Sequence, residues 1–208
     1  MGIFVLMLKF TVYRQYEGLG YDIKEVTMAK VYVFLTDGFE EVEAITPMDL
    51  LRRAGVTVTT VSITGQLLVH GAHGIDIMAD ILFDDSLLDA DMLVLPGGPG
   101  TKLLKQHEGL KKIILSYHDA KKYLGAICAA PGVLGQNQLL VNKKAICFPG
   151  HEEYLHGAIL VNQPVVEDDN IITSKGAGTS IDFALVLIAK LCGREMSEQI
   201  GQSIQYER

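Results

Sequence analysis

From Lys30 onward the chain alternates short runs that are apolar at nearly every position with longer stretches of helical spacing. Residues 31–35, 92–95 and 123–127 are the clearest short runs, and 56–63 is rich in β-branched residues. A strand that is apolar on both faces has to be covered on both, as in parallel sheets flanked by helices. Segment 40–53, with Val42, Ile45, Leu50 and Leu51, lies close to helical spacing, and 110–122 and 181–191 also read as helices. A last helix is expected over 195–204. Residues 67–70 and 75–78 flank a Gly-containing turn and predict a short hairpin; 145–148 and 170–174 predict later strands. Strands alternating with helices imply βαβ units, hence an α/β fold of three layers with a mostly parallel sheet between helices. Ligands in such sheets sit beyond the carboxyl ends of the strands. The turns after Leu35, Leu95, Ile127 and Ser174 are therefore where chemistry is expected.

Residues 28–208 read as one domain, since 208 residues favour one unit over two. Residues 1–27 precede the first buried strand and read as an extension of uncertain status, or as an extra edge strand at 3–8. Their apolar stretch ends at Lys9, far short of the ~20 residues of a membrane span. It lacks a basic leader and a small-residue cleavage site. A net charge of −7 with scattered basic pairs argues against a nucleic-acid partner, because phosphate contact needs clustered Lys and Arg. Three cysteines without regular spacing imply no disulfide framework. A reducing, cytoplasmic compartment suits them.

Cys128 is the leading chemical candidate. It ends the run Tyr123-Leu124-Gly125-Ala126-Ile127 and precedes Ala129-Ala130-Pro131, where Pro131 suits a first helical turn. Unpaired N–H groups at such a junction favour thiolate, and small neighbours admit a substrate. From position alone, an inert thiol packed like alanine reads equally well. Cys147, expected inside a strand, and Cys192, near a helix end, read as packing residues. Gly97 and Gly98 follow the strand at 92–95, so the N–H groups of Gly98 and Ala129 are candidates to hold a substrate oxyanion beside the thiol. Pro-Gly-Gly-Pro-Gly is also an ordinary strand-to-helix turn. Glu40, Glu41 and Glu43 open the first helix, and one of them facing inward would be desolvated and raised in pKa, fit to move protons at the thiol.

Taken together, Asp37-Gly38-Phe39-Glu40-Glu41-Val42-Glu43, Arg52-Arg53-Ala54-Gly55, Leu95-Pro96-Gly97-Gly98, Ala126-Ile127-Cys128-Ala129-Ala130-Pro131 and the run 173–180 resemble the ThiJ/PfpI superfamily, in the branch of Parkinson disease protein 7. The resemblance runs in register from about Met28 to the C-terminus. It implies a flavodoxin-like sandwich, usually a homodimer, with Cys128 as nucleophile, Glu43 as its carboxyl partner, and Gly98 and Ala129 as backbone donors. It further implies cofactor-independent glyoxalase or deglycase chemistry on methylglyoxal, glyoxal and their early adducts. The alternative it implies is a redox-sensing or chaperone-like stress protein whose cysteine is oxidised to sulfinate.

The chain departs from relatives at several points. Ala129 stands where the peptidase branch has a His after its Cys, which removes a general base for proteolysis. Phe148 occupies a position where some relatives carry His, with His151 three residues on; His73 matches an Arg used near the nucleophile, whose companion is kept as Arg53. No metal site is expected: His151 and His156 are spaced i, i+5, roughly 140° apart on a helix, unlike the i, i+4 pair of zincins. The run 176–180 lacks a complete dinucleotide or Walker fingerprint, and a Gly turn into a capped helix explains it.

Overall fold

The structure is a computed structural model describing residues 28–207. The expectations for 1–27, including a strand at 3–8, lie outside the described residues. In chain order the first half contains β1 (Lys30–Leu35), α1 (Glu41–Arg53), β2 (Thr57–Ser62), β3 (Leu68–Val69), β4 (Ile77–Met78), β5 (Ile81–Leu82) and β6 (Met92–Leu95). The second half contains α2 (Thr101–Gln106), α3 (Glu108–Asp119), β7 (Tyr123–Ile127), α4 (Pro131–Gln136), β8 (Lys144–Ala145), β9 (Ile159–Leu160), β10 (Val165–Asp168), β11 (Ile171–Ser174), α5 (Ser180–Cys192) and α6 (Arg194–Ser203).

Seven strands form one sheet in the order β10-β11-β7-β6-β1-β2-β5. All pairs are parallel except the edge pair β10–β11. Among the longer parallel strands, β2-β1-β6-β7-β11 is the doubly wound order of flavodoxin-like folds. The winding direction reverses between β1 and β6, which opens a crevice at their carboxyl ends.

Strand β1 shows why the sheet must be a middle layer. Val31, Val33 and Leu35 pack with α1, α5 and α6 side chains, among them Met48, Leu51, Phe183, Leu187 and Ile200. The alternate residues Tyr32 and Phe34 pack on the other face with Leu104, Ile113, Ile114, Tyr117 and Val133 from α2, α3 and α4. The period-2 geometry of a strand turns one apolar run into two cores. The expected hairpin is present as the antiparallel pair β3–β4.

Two local expectations need correction, and two elements were not expected at all. In α1 the buried face is Glu41, Glu43, Ala44, Pro47, Met48, Leu50 and Leu51, while Val42 and Ile45 are exposed. The two glutamates take the inward positions in place of Val42 and Ile45 because backbone donors await their carboxylates, as described below. The expected strand over 145–148 pairs only as β8 with β9, so Cys147 lies past its end, although buried. Phe148 leaves the strand to donate its N–H to the Cys128 carbonyl at 2.9 Å. Helix α2 was not foreseen, since six residues carry too little period. The other unexpected element, β10, pairs antiparallel with β11 through a turn in which Asp169 holds φ +55°.

Candidate active site

The turns after β1, β6, β7 and β11 meet at one edge of the sheet, as expected. Backbone bonds tie them together: Glu40 N–H donates to the Gly97 carbonyl at 3.1 Å, and Gly100 N–H to Gly38 at 2.9 Å. Cys128 N–H donates to the Ser174 carbonyl at 2.9 Å. These bonds bring the first turn of α1 against the Gly97–Gly98 turn and place Cys128 beside both.

Cys128 is partly exposed and holds φ +64°. A β-carbon in this left-handed region costs roughly 1–2 kcal/mol. Such strain is held by the surrounding structure and is common at reactive positions. Nothing in the residue types around Cys128 announces this geometry. Helix α4 starts only at Pro131, three residues further on, and spans a mere six residues. The thiol therefore sits in a turn ahead of the helix rather than on its N-terminus, and the helix dipole expected there contributes little.

Glu43 is buried, 1% exposed. Its Oε2 accepts the Gly97 N–H at 3.0 Å, and its carboxyl is also hydrogen-bonded to the Cys128 thiol and to the Ala177 N–H. Burial raises its pKa to about 7, with the Glu40 charge adding to the rise, against those hydrogen bonds. Burial likewise pushes the Cys128 thiol up, and the Glu43 charge reinforces this. The Gly98 and Ala129 N–H groups face the sulfur and pull the other way. The bias towards thiolate expected from sequence is thus outweighed in the resting site. A carboxylate and a thiolate side by side with little solvent between them disfavour one another's charge, so the pair titrates as a unit.

Glycine supplies the space for this pairing. At Gly97 a β-carbon would lie 2.6 Å from both Cys128 Cβ and Glu43 Oε2. Gly98 combines a φ of +92° with a close approach, where a β-carbon would meet the Gly38 carbonyl at 2.5 Å. At Gly176 the φ is 165°, extended backbone open to any residue. A β-carbon there would sit 3.1 Å from Phe148 Cδ2 and 3.8 Å from Glu43 Oε1. Phe148 thus forms a wall of the site that the sequence signalled only as a substitution.

The other singled-out residues have partners of their own. Glu41, also buried, is the counterpart of Glu43 with the opposite fate. Burial pushes its pKa up, but His73 (side chain and N–H), its own N–H and the Ile75 N–H outweigh this and hold it near 2. The His73 N–H and Nδ1 lie 2.6 Å and 2.9 Å from its oxygens. His73 is thereby raised in turn, through this hydrogen bond and the charges of Glu40 and Glu41. Arg53 is paired with Asp49 at 2.8 Å at the far end of α1, ~15 Å along the axis from Glu43. His151 packs edge-on to Phe148, centroids 6.2 Å apart. Among the described residues, Glu40, Glu41 and His73 have potential metal-ligand atoms within 4.8 Å of one another, but the Glu41 oxygens are already taken by N–H donors.

Comparison with known proteins gives the family. The model of the DJ-1/PfpI family matches residues 29–190. The chain is 34% identical over 177 residues to protein DJ-1 homolog B of Arabidopsis thaliana, covering 84% of this chain but 40% of that relative. It therefore spans less than half the length of that plant protein. It is 30% identical to the Parkinson disease protein 7 homolog of Danio rerio, covering 82% of this chain and 94% of the relative. A glutathione-independent glyoxalase DJ-1 of Schizosaccharomyces pombe is 27% identical, over 85% and 98% of the two chains. Among solved structures, a cysteine-to-alanine mutant of a DJ-1 superfamily protein from Salmonella typhimurium superposes with a TM-score of 0.83 at 34% identity, covering 87% of this chain and all of that one. Oxidized Toxoplasma gondii DJ-1 gives 0.82 at 30%, over 86% and 100%. With most of its length matched by the family model, and with the flavodoxin-like sheet already described, the chain belongs to the DJ-1/PfpI family.

Proposed function

We propose that the protein is a cofactor-independent glyoxalase that converts small 2-oxoaldehydes, methylglyoxal and glyoxal, to 2-hydroxy acids, with early adducts of these aldehydes as related substrates. The carrying observation is the buried Glu43–Cys128 pair with the Gly98 and Ala129 N–H groups facing its sulfur. The similarity to the yeast glyoxalase supports the same reading.

In this mechanism the Cys128 proton passes to Glu43 as the sulfur adds to the aldehyde carbon. The two N–H groups that face the thiol in the resting site are positioned to hold the oxyanion that forms there. Glu43 returns this proton to the oxyanion, which gives a hemithioacetal and frees the carboxylate. Glu43 then takes the C1 proton and returns it to C2, giving a 2-hydroxy thioester. Water cleaves the thioester and regenerates the thiol. The aldehyde carbon is oxidised while the neighbouring carbonyl is reduced, so the sum is addition of water and needs no outside electron acceptor. A carboxyl half-protonated near neutrality is suited to both directions of transfer.

A second reading rests on the partial exposure of the thiol. As a peroxide sensor, Cys128 would be oxidised to sulfinate, with the Glu43 carboxyl and the two N–H groups as partners for its oxygens. We further infer that residues 28–208 act as one domain in a cytoplasmic homodimer, to which the exposed Val42 and Ile45 of α1 offer apolar surface.

The test is lactate formation from methylglyoxal in a non-amine buffer with enantiomer-specific detection. Wild type should release one enantiomer, and Cys128→Ala and Glu43→Gln should not. Aldehyde loss without lactate would refute the glyoxalase reading and leave the sensor reading, which mass spectrometry of Cys128 after peroxide treatment then decides.

A further inference from the structure

We propose that a crevice beyond the carboxyl ends of β1 and β2 binds a neutral polyhydroxylated molecule of monosaccharide size, through a vicinal diol held by Asp37. The crevice has a volume of about 400 Å³. It is lined by Thr36 and Asp37 from the turn after β1, Ile63 from the turn after β2, and Leu103, Gln106 and His107 from α2 and its C-terminal cap. Ile63 packs with the core on the α2 and α3 side of the sheet. Cys128 packs with the core on the α1 and α5 side. The crevice is thus a second site, separate from the thiol, where sheets of this kind take ligands. Its walls are preformed: Ile63 N–H donates to the Leu35 carbonyl at 3.0 Å and Gly38 N–H to the His70 carbonyl at 2.7 Å. Little ordering is left for a ligand to impose.

The chemistry of the lining selects the class of ligand. Asp37 Oδ1 accepts the His70 N–H at 3.0 Å, which fixes the side chain and leaves Oδ2 without a partner among the described residues. His107 is held twice, with Nδ1 accepting the Leu110 N–H at 3.0 Å and its ring edge-on to Phe83, centroids 4.4 Å apart. With Nδ1 accepting, the ring proton sits on Nε2, which becomes a donor. Gln106 is exposed, and its amide offers both a donor and an acceptor. Thr36 is buried, and its Oγ1 has no hydrogen-bond partner among the described residues. Such a group is uncommon and marks a place for one. A carboxylate repels anions, and an imidazole N–H is a poor neighbour for a cation. Hydroxyl groups, each a donor and an acceptor, satisfy both. A vicinal diol can give both protons to one carboxylate while the carbon-bound face of the molecule covers Ile63 and the exposed Leu103.

The test is an amide-resolved NMR titration of the full chain with methyl β-D-ribofuranoside. This glycoside carries a vicinal diol and is non-reducing, so it has no free aldehyde to react at Cys128. Wild type should show saturating shifts at residues 36–37, 63–64 and 103–107, with a dissociation constant in the millimolar range. The 2-deoxy glycoside, which lacks the diol, should bind about tenfold more weakly. Asp37→Asn and Gln106→Ala should each weaken binding of the parent glycoside by about tenfold. Asp37→Asn keeps an oxygen for the His70 N–H, and Gln106 is exposed, so both variants should give the spectrum of a folded protein. Cys128→Ala should bind like wild type. Shifts that never saturate, or that centre on residues 43, 97 and 128, overturn the site. So does equal affinity for the two glycosides, or an affinity indifferent to both Asp37→Asn and Gln106→Ala. Tighter binding of methylguanidinium or of sulfate than of the glycoside overturns the assignment to a neutral polyol.

Discussion

Replacing Glu43 by Gln should make the folded protein more stable in alkaline buffer and leave it nearly unchanged in acid. A protonated Glu and a Gln are close isosteres, and either can accept the Gly97 N–H that Glu43 accepts at 3.0 Å. The difference appears when Glu43 ionises in its buried position. Its folded-state pKa is raised from about 4.5 to about 7. Between those values the folded state binds more protons than the unfolded state, so stability falls as pH rises through this window and levels off above it. A displacement of this size corresponds to about 3 kcal/mol at full ionisation. Gln removes that cost. Urea unfolding of both proteins under reducing conditions, at fixed protein concentration and ionic strength, should give curves that nearly coincide at pH 4.5. At pH 8 Glu43→Gln should be the more stable by about 3 kcal/mol. Other titrating groups are common to both proteins and cancel in the difference, apart from Cys128, which is no longer raised by the Glu43 charge in the Gln variant. A gap that is the same at pH 4.5 and pH 8, or a Gln variant that is weaker at pH 8, would refute the assignment of a desolvated carboxyl at this position.

Three further outcomes follow from the same geometry. Gly97→Ala should destabilise the fold by roughly 1–3 kcal/mol and abolish Cys128 reactivity towards iodoacetamide, since its β-carbon has to displace Cys128 or Glu43; normal labelling would contradict the packing described. Cys128→Gly should unfold at higher urea than Cys128→Ala, by about 0.5–1 kcal/mol, because glycine accepts φ +64° at no steric cost while its chain entropy offsets part of the gain. Glu41→Ala should speed hydrogen exchange at the His73 and Ile75 amides by about tenfold or more at neutral pH, as a bond to a charged acceptor is lost. With the Glu41 pKa held near 2, wild-type protection there should persist above pH 4.5 and fade as the pH drops towards 2.

The layer architecture was legible because parallel strands covered on both faces leave uninterrupted apolar runs, and β1, β6 and β7 are such runs. The turns that meet at the site followed from that topology, and with them Cys128, Gly98 and Ala129. Less legible was which glutamate turns inward. Apolar spacing put Val42 and Ile45 on the buried side of α1, yet Glu41 and Glu43 take inward positions because donors from residues 73–75 and 97 wait there, far away in sequence. The backbone strain at Cys128 and the close approach of Phe148 to Gly176 arise from long-range contacts and have no local signature. Short elements such as α2, β5 and β9 escape for a different reason: two to six residues are too few to display a period.

The left-handed backbone at Cys128 also bears on how such a protein fares under mutation. At most positions, substitutions that damage function do so by lowering stability, and the altered protein is cleared. Here the thiol is kept in a conformation that a residue without a β-carbon adopts more readily. A mutant that exchanged the thiol for glycine would escape that strain and be spared by quality control. Inactive chains of this kind would persist at full abundance, so the cellular level of the protein would be a poor proxy for the chemistry it performs.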